Sequence, residues 1–339
     1  MKTIVLEKPG KLAYADRHFD LRLRPDEVLL KVRRIGICGS DYHAFAGSQP
    51  NMKYPIILGH ELGVEVEEVG KNVANLKEGD RCAVEPYLNP VADQAVKNGF
   101  TNCGDHLSVF GLHEDGGLRE KIKLPAKYLH KSDKLNFDEL ALVESLGIGC
   151  HAANRAQVKS SDLVLVVGAG PIGLASAVFA KAKGAKTVVL EINKARLSFC
   201  KHKMAFDGTI EGGGSDELSK IKNSFGGNLP TVILDATGNK TSMQHVIKYA
   251  SPGARIVYVG FFLGDFSFSD PYFHTKELSL IASRNATTSD FRQVIKMMEE
   301  GEIDTRPWIT HRAPFDKMAT YFNDWLKPKS GVIKAMVSL

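Results

Sequence analysis

Three short stretches hold the side chains best suited to chemistry. GICGSDYH supplies Cys38, Ser40, Asp41 and His43; LGHELGVE supplies His60 and Glu61; ALVESLGIGCH supplies Glu144. Thiolate, imidazole and carboxylate are the donors that a zinc ion accepts in tetrahedral geometry, with one position open for water or substrate. Such an ion is a Lewis acid, able to let a bound hydroxyl lose its proton near neutral pH. Each residue alone has a plainer role. A cysteine after an apolar strand is commonly a small core residue, and Ser-Asp favours a turn. Their joint pattern is what points to a metal centre.

A second candidate site is LVLVVGAGPIGLASAVFAKAKGA. Gly168, Gly170 and Gly173, with Pro171 and Ile172 among them, form G-x-G-x-x-G between a strand-like and a helix-like run. The first glycine permits a tight turn, the second lets the backbone approach a pyrophosphate, and the third lets helix and strand pack closely. The pyrophosphate is then received by the free N–H groups and the positive end of the helix. The next apolar run, TVVLE, ends in Glu191. That is roughly the ~20-residue spacing at which a carboxylate accepts hydrogen bonds from an adenosine ribose. Glu191 favours NAD over NADP, because a 2′-phosphate would meet a like charge. Arg196, on the following helix, either pairs with a phosphate, flanks the adenine or is solvated.

Two rhythms frame these sites. Residues 1–146 read as short strands (KTIVLE, EVLLKVRRIGIC, GVEVEEVG, RCAVEPY, LREKIKL) broken by Gly, Pro and Asp, which suits a β-rich barrel or sandwich. Residues 147–284 alternate apolar strands (LVLVVG, TVVLE, VILDAT, RIVYVG, LSLIAS) with helical stretches, the mark of a parallel sheet covered on both faces. Residues 285–339 hold two helices and a last strand, VIKAMVSL, and do not continue the alternation. They are expected to return to the first domain. The fold class is thus α/β plus β.

The bulk properties exclude several classes. The chain has 339 residues, long for one core, and a net charge of +5 with no Lys/Arg block of the kind that binds nucleic acid. No apolar run approaches the ~20 residues of a membrane span, and the start MKTIVLEKPG does not read as a signal peptide. Five widely spaced cysteines fit reduced thiols in the cytoplasm better than a disulfide framework.

CGSDYH, GHE followed by Gly70, the Glu144 junction, GAGPIG and DATGN together resemble the medium-chain, zinc-dependent alcohol dehydrogenase family over essentially the whole chain. Within it the sequence is most similar to the polyol and sugar-acid branch. The resemblance implies a GroES-like β-barrel catalytic domain, a Rossmann doubly wound parallel-sheet domain for NAD, and an active cleft between them. It implies a zinc ion surrounded by Cys38, His60, Glu61 and Glu144, of which either glutamate binds directly or through water. It implies a proton path from the substrate hydroxyl through Ser40 and the coenzyme ribose to His43. Arg284 stands where related polyol enzymes place a substrate-contacting arginine, Ala44 near an aromatic position of the sorbitol enzymes, and His113 near the cleft. Gly63 sits one residue before the family's usual glycine, at Val64, and Ser145 stands where proline commonly follows the glutamate.

The excursion PYLNPVADQAVKNGFTNC aligns with a lobe that commonly holds a second, structural zinc through four cysteines. Those positions are here Pro90, Asp93, Val96 and Cys103. Proline and valine cannot complete a closed site, so one zinc per chain is expected and the lobe must be held by packing and hydrogen bonds. A small-molecule polyol or sugar acid is the expected partner, with a homo-oligomer, dimer or tetramer, by analogy. L-Threonine 3-dehydrogenase chemistry and a catalytically silent ligand-binding protein are the alternatives.

Overall fold

The strand Glu27–Ile37 organises the first of two compact units, which comprises Met1–Ser145 and Thr287–Leu339. The computed structural model describes residues 1–327 and 330–339. In EVLLKVRRIGI eight of the eleven residues are buried, as expected of a central strand with several β-branched residues. It pairs antiparallel with Glu61–Val69, with Lys121–Pro125 and with the final strand Lys334–Ser338. The sheet runs Ile309–Pro314, Lys334–Ser338, Glu27–Ile37, Glu61–Val69, Arg81–Val84, Leu129–Lys131. Its buried faces join Leu30, Ile35, Val64, Val66 and Ile122 to Phe322 and Trp325 in one core. Each such aliphatic side chain contributes about 1.5–3 kcal/mol by leaving water.

Register places the candidate residues at one end of that sheet. Gly36 pairs with Glu61, and Ile37 pairs with Ala335, so Cys38, Glu61 and Lys334 emerge side by side. A one-residue slip would send every one of these side chains to the opposite face.

Glu144 arrives on a helix, Phe137–Arg155, where the sequence reading anticipated only a domain junction. Its start is fixed by reciprocal bonds: Asn136 Oδ1 accepts from Glu139 N at 3.1 Å, and Glu139 Oε2 accepts from Asn136 N at 2.8 Å. Asp138 in the first turn accepts from Arg34 and from Arg312, each at 2.7 Å. Gly63 explains its own presence. A Cβ there would lie 2.2 Å from the Phe137 carbonyl, so only glycine lets this strand approach the helix.

The second unit, Leu146–Ala286, holds a six-stranded sheet. Its order is Gly208–Glu211, Lys186–Glu191, Leu163–Val167, Val232–Asp235, Arg255–Tyr258, Ser279–Ala282, and every pairing is parallel. The strand Gly208–Glu211 is the element the sequence did not suggest; GTIE between glycines carries too short an apolar run. Among the described residues no helix is long and apolar enough to cross a membrane.

Candidate metal centre and coenzyme turn

Cys38 follows the strand Glu27–Ile37 and caps the N-terminus of the helix Gly39–Ala46, and Asp41 in that helix's first turn accepts from Cys38 N through Oδ2 at 2.9 Å. His60 immediately precedes, and Glu61 opens, the neighbouring strand. The sulfur of Cys38, a nitrogen of His60 and a carboxylate oxygen of Glu61 lie within 4.8 Å of one another, the one such donor cluster among the described residues. His60 is 3% exposed and Glu61 fully buried.

Behind this trio stands a layer of supporting groups. His60 Nδ1 faces Asp41 Oδ1 at 3.8 Å, and neither atom has a hydrogen-bond partner. His60 Nε2 lies 3.4 Å from Ser40 Oγ. A carboxylate behind a ligating histidine fixes its tautomer and orientation. Glu61 receives Lys334 Nζ on both oxygens, at 2.6 and 2.7 Å. Gly36 makes room for this carboxylate, since a Cβ there would fall 2.2 Å from Glu61 Oε2. Glu144 lies outside the donor cluster, and its Oε1 accepts the Tyr87 hydroxyl.

The titration tendencies describe an acidic, dry pocket. Burial opposes a charged His60, but the facing Asp41 carboxylate and Cys38 outweigh it, holding the imidazole's pKa well above its ordinary value. Burial raises Asp41 and Glu144 in turn, and the Glu61 charge adds to both. The Lys334 ammonium, which burial alone would discharge, is held upward by Glu61 and Cys38. Sulfur, nitrogen and oxygen donors, an orphaned His60 Nδ1 opposite a carboxylate, and surplus buried acid fit a zinc ion.

Other sequence candidates fall as follows. Ser40 and His43 share the helix Gly39–Ala46, but His43 is exposed and its Nδ1 pairs with Ser48 Oγ at 3.1 Å. Ala44 is fully buried in the hydrophobic core, so its side chain packs inward. His113 is exposed, and its Nδ1 accepts from Val109 N at 3.1 Å. Arg284 is exposed in the second unit.

In the lobe, Asp93 Oδ1 accepts from Val96 N at 2.9 Å and Oδ2 from Asp105 N at 2.7 Å. Asn89 Nδ2 donates to Thr101 O at 2.7 Å, and the Cys103 sulfur lies 3.5 Å from Asn102 Oδ1. Hydrogen bonds around one carboxylate thus tie this loop together.

In the second unit the glycine turn behaves as its spacing demands. Gly168 has φ +93°, and a Cβ on Gly173 would lie 1.8 Å from the Gly168 carbonyl. Gly170 caps the helix Pro171–Ala182, with Pro171 at its first position and Ile172 next. A Cβ on Gly170 would find nothing nearer than Arg196 Nη1 at 3.6 Å, so space above the turn is open and overhung by a guanidinium. Glu191 is 5% exposed. Its oxygens accept from Ala169 N at 2.6 Å and Asn193 N at 2.7 Å, which ties the glycine turn to the neighbouring strand.

Sequence reasoning missed Lys334 and Tyr87 and gave Asp41 no role. One signal was available: a lysine inside the apolar run VIKAMVSL needs a buried counter-charge if that run is a core strand. Nothing local marked Tyr87.

Comparison with known proteins agrees with this geometry. The family model for the alcohol dehydrogenase GroES-like domain matches residues 24–134, and that for zinc-binding dehydrogenases matches residues 171–300. The chain is 38% identical to an L-galactonate-5-dehydrogenase of Escherichia coli K12, covering 100% of this chain and 99% of that protein. It is 36% identical to the sorbitol dehydrogenase of Ovis aries, over 88% and 86% of the two chains. Among solved structures, an alcohol dehydrogenase from E. coli CFT073 complexed with NADH superposes with a TM-score of 0.92 at 30% identity, covering 100% and 99%. With a full-length relative at that identity and both domain models matched, the chain belongs to the zinc-binding alcohol dehydrogenase family, as a medium-chain dehydrogenase with a GroES-like domain and a Rossmann-type parallel sheet.

Proposed function

We propose that this chain oxidises a secondary hydroxyl of a polyol or sugar acid and passes the hydride to NAD, in the manner of the L-galactonate and sorbitol enzymes it resembles. The observation that carries the metal half is the buried trio Cys38, His60 and Glu61, with donor atoms within 4.8 Å. Zinc held there supplies Lewis acidity toward the substrate hydroxyl. Cys38, His60 and Glu61 hold the ion; Asp41 orients the His60 ring, and Lys334 offsets the Glu61 charge. Glu144 borders the same site as a reserve carboxylate. Ser40 relays the hydroxyl proton, giving up its own as it accepts, toward exposed His43 on the same helix, which releases a proton to solvent.

Gly168, Gly170 and Gly173 receive the coenzyme pyrophosphate at the N-terminus of Pro171–Ala182, and Arg196 offsets its charge. Glu191 keeps a second lone pair on each oxygen for the ribose hydroxyls, and its charge disfavours a 2′-phosphate. Arg284 clamps the acid group or hydroxyls of the substrate. In keeping with the family, the working enzyme is a cytoplasmic dimer or tetramer.

The test joins metal analysis to a substrate panel. Purified protein is expected to retain one zinc per chain, to reduce NAD with hexonates or polyols, and to lose zinc and turnover together in His60→Ala. Full turnover by a zinc-free His60→Ala enzyme overturns the metal mechanism. Preference for L-threonine over every hexonate and polyol overturns the substrate class.

A further inference from the structure

We infer that Tyr87 is a positioning residue that holds Glu144 out of the metal's coordination sphere, so that one coordination position stays open for substrate. The inference deepens the proposed function and rests on its metal site. Tyr87 is 2% exposed, and its strand, Tyr87–Leu88, is pinned by pairing with Ser108–Val109. Its ring meets Phe291 edge-on, with centroids 6.1 Å apart and planes at 76°. These constraints leave the phenol little freedom, and its hydroxyl is spent on Glu144 Oε1. A buried phenol needs such an acceptor, and a hydroxyl–carboxylate bond is of the strong, charge-assisted kind.

Glu144 is equally constrained. It sits mid-helix in Phe137–Arg155 and is 5% exposed. Cys38, His60 and Glu61 form the donor cluster without it. A carboxylate bordering a divalent cation would be drawn inward, and the bond from the Tyr87 hydroxyl opposes this. Three protein donors plus an open position is the arrangement of a catalytic zinc; a fourth protein donor makes a closed, structural one. The hydroxyl of Tyr87 therefore decides which of the two this site is.

Removing that hydroxyl in Tyr87→Phe keeps the ring packing and frees Glu144. The expected result is zinc release to a chelator slowed about tenfold or more, with substrate KM raised and kcat lowered about 10–100-fold, the span that outer-shell changes produce. Cobalt-substituted Tyr87→Phe should show shifted visible bands, since a carboxylate has entered the sphere. In Tyr87→Phe/Glu144→Gln, where the freed group is a poor ligand, release rate and cobalt bands should return toward wild type. Glu144→Gln alone should keep its zinc through dialysis.

Three results overturn the inference: a Tyr87→Phe enzyme that matches wild type in zinc release and cobalt bands, one that releases zinc faster, or a Glu144→Gln enzyme that loses its zinc. Wild-type protein that binds no zinc at all refutes instead the metal site proposed above, which separates the two failures.

Discussion

Lys334 Nζ, on the last strand, bonds both oxygens of Glu61, at 2.6 and 2.7 Å, with both side chains out of contact with water. The pair binds the end of the chain to the strand that carries the candidate metal donors. Taking one partner away strands the other charge in a dry interior. In zinc-free protein, Lys334→Met should therefore destabilise the fold by about 3–5 kcal/mol, whereas Lys334→Met/Glu61→Leu recovers most of the loss because no lone charge remains. Urea unfolding at constant m measures both. A single-variant shift below about 1 kcal/mol contradicts the account.

The two glycines of the coenzyme turn should separate folding from binding. In Gly173→Ala the new Cβ meets the Gly168 carbonyl at 1.8 Å, so the turn must move. The expected cost is about 1–3 kcal/mol of stability, together with lost NADH affinity. Gly170 has φ −71°, which any residue adopts, and its nearest neighbour stands at 3.6 Å. Gly170→Ala should unfold at the wild-type denaturant concentration yet bind NADH at least tenfold more weakly, because the Cβ fills the space the pyrophosphate needs. NADH fluorescence titration and denaturant melts decide it; wild-type affinity in Gly170→Ala counts against the pyrophosphate site.

Asp162 should govern part of the acid stability of the parallel-sheet unit. Burial pushes its carboxyl up, but bonds from Lys159 N at 2.8 Å, Thr231 Oγ1 at 2.7 Å and Arg255 Nη2 at 2.6 Å outweigh it, and the net shift is downward. A folded pKa below the unfolded value of about 3.9 means stability that is fully present above that value and lost as pH falls through the folded pKa. Asp162→Asn should thus be less stable than wild type at neutral pH, with the gap narrowing below about pH 4. A gap constant from pH 7 to pH 3 contradicts the assignment.

The lobe between Asn89 and Asp105 should depend on Asp93. Asp93→Ala removes the acceptor of Val96 N and Asp105 N. Faster amide exchange and proteolytic nicking confined to this loop are expected, with zinc content unchanged at one per chain. A fall in zinc content would show the lobe to be a metal site after all.

The coenzyme turn was legible from its sequence because its demands are local. A left-handed φ at Gly168 and a carbonyl against Gly173 are settled within a few residues, and so are the buried runs of the parallel strands. The types of the metal donors were legible too. Their meeting could be expected only from the family resemblance, because it depends on Gly36 pairing with Glu61 across separate strands. The helix that presents Glu144 was hidden because ALVESLGIGCH is mostly apolar, carries two glycines and shows no clean 3.6-residue period.

By itself, then, the order of residues determined which groups exist for chemistry, which glycine turn is the candidate for a pyrophosphate and where the strands alternate with helices. Tertiary structure alone decided that Lys334 neutralises Glu61, that Asp41 faces His60 and that Tyr87 holds Glu144. The physical reason is that a buried charge or hydroxyl is satisfied by whatever lies next to it in space, and pairing register brings that neighbour from tens or hundreds of residues away.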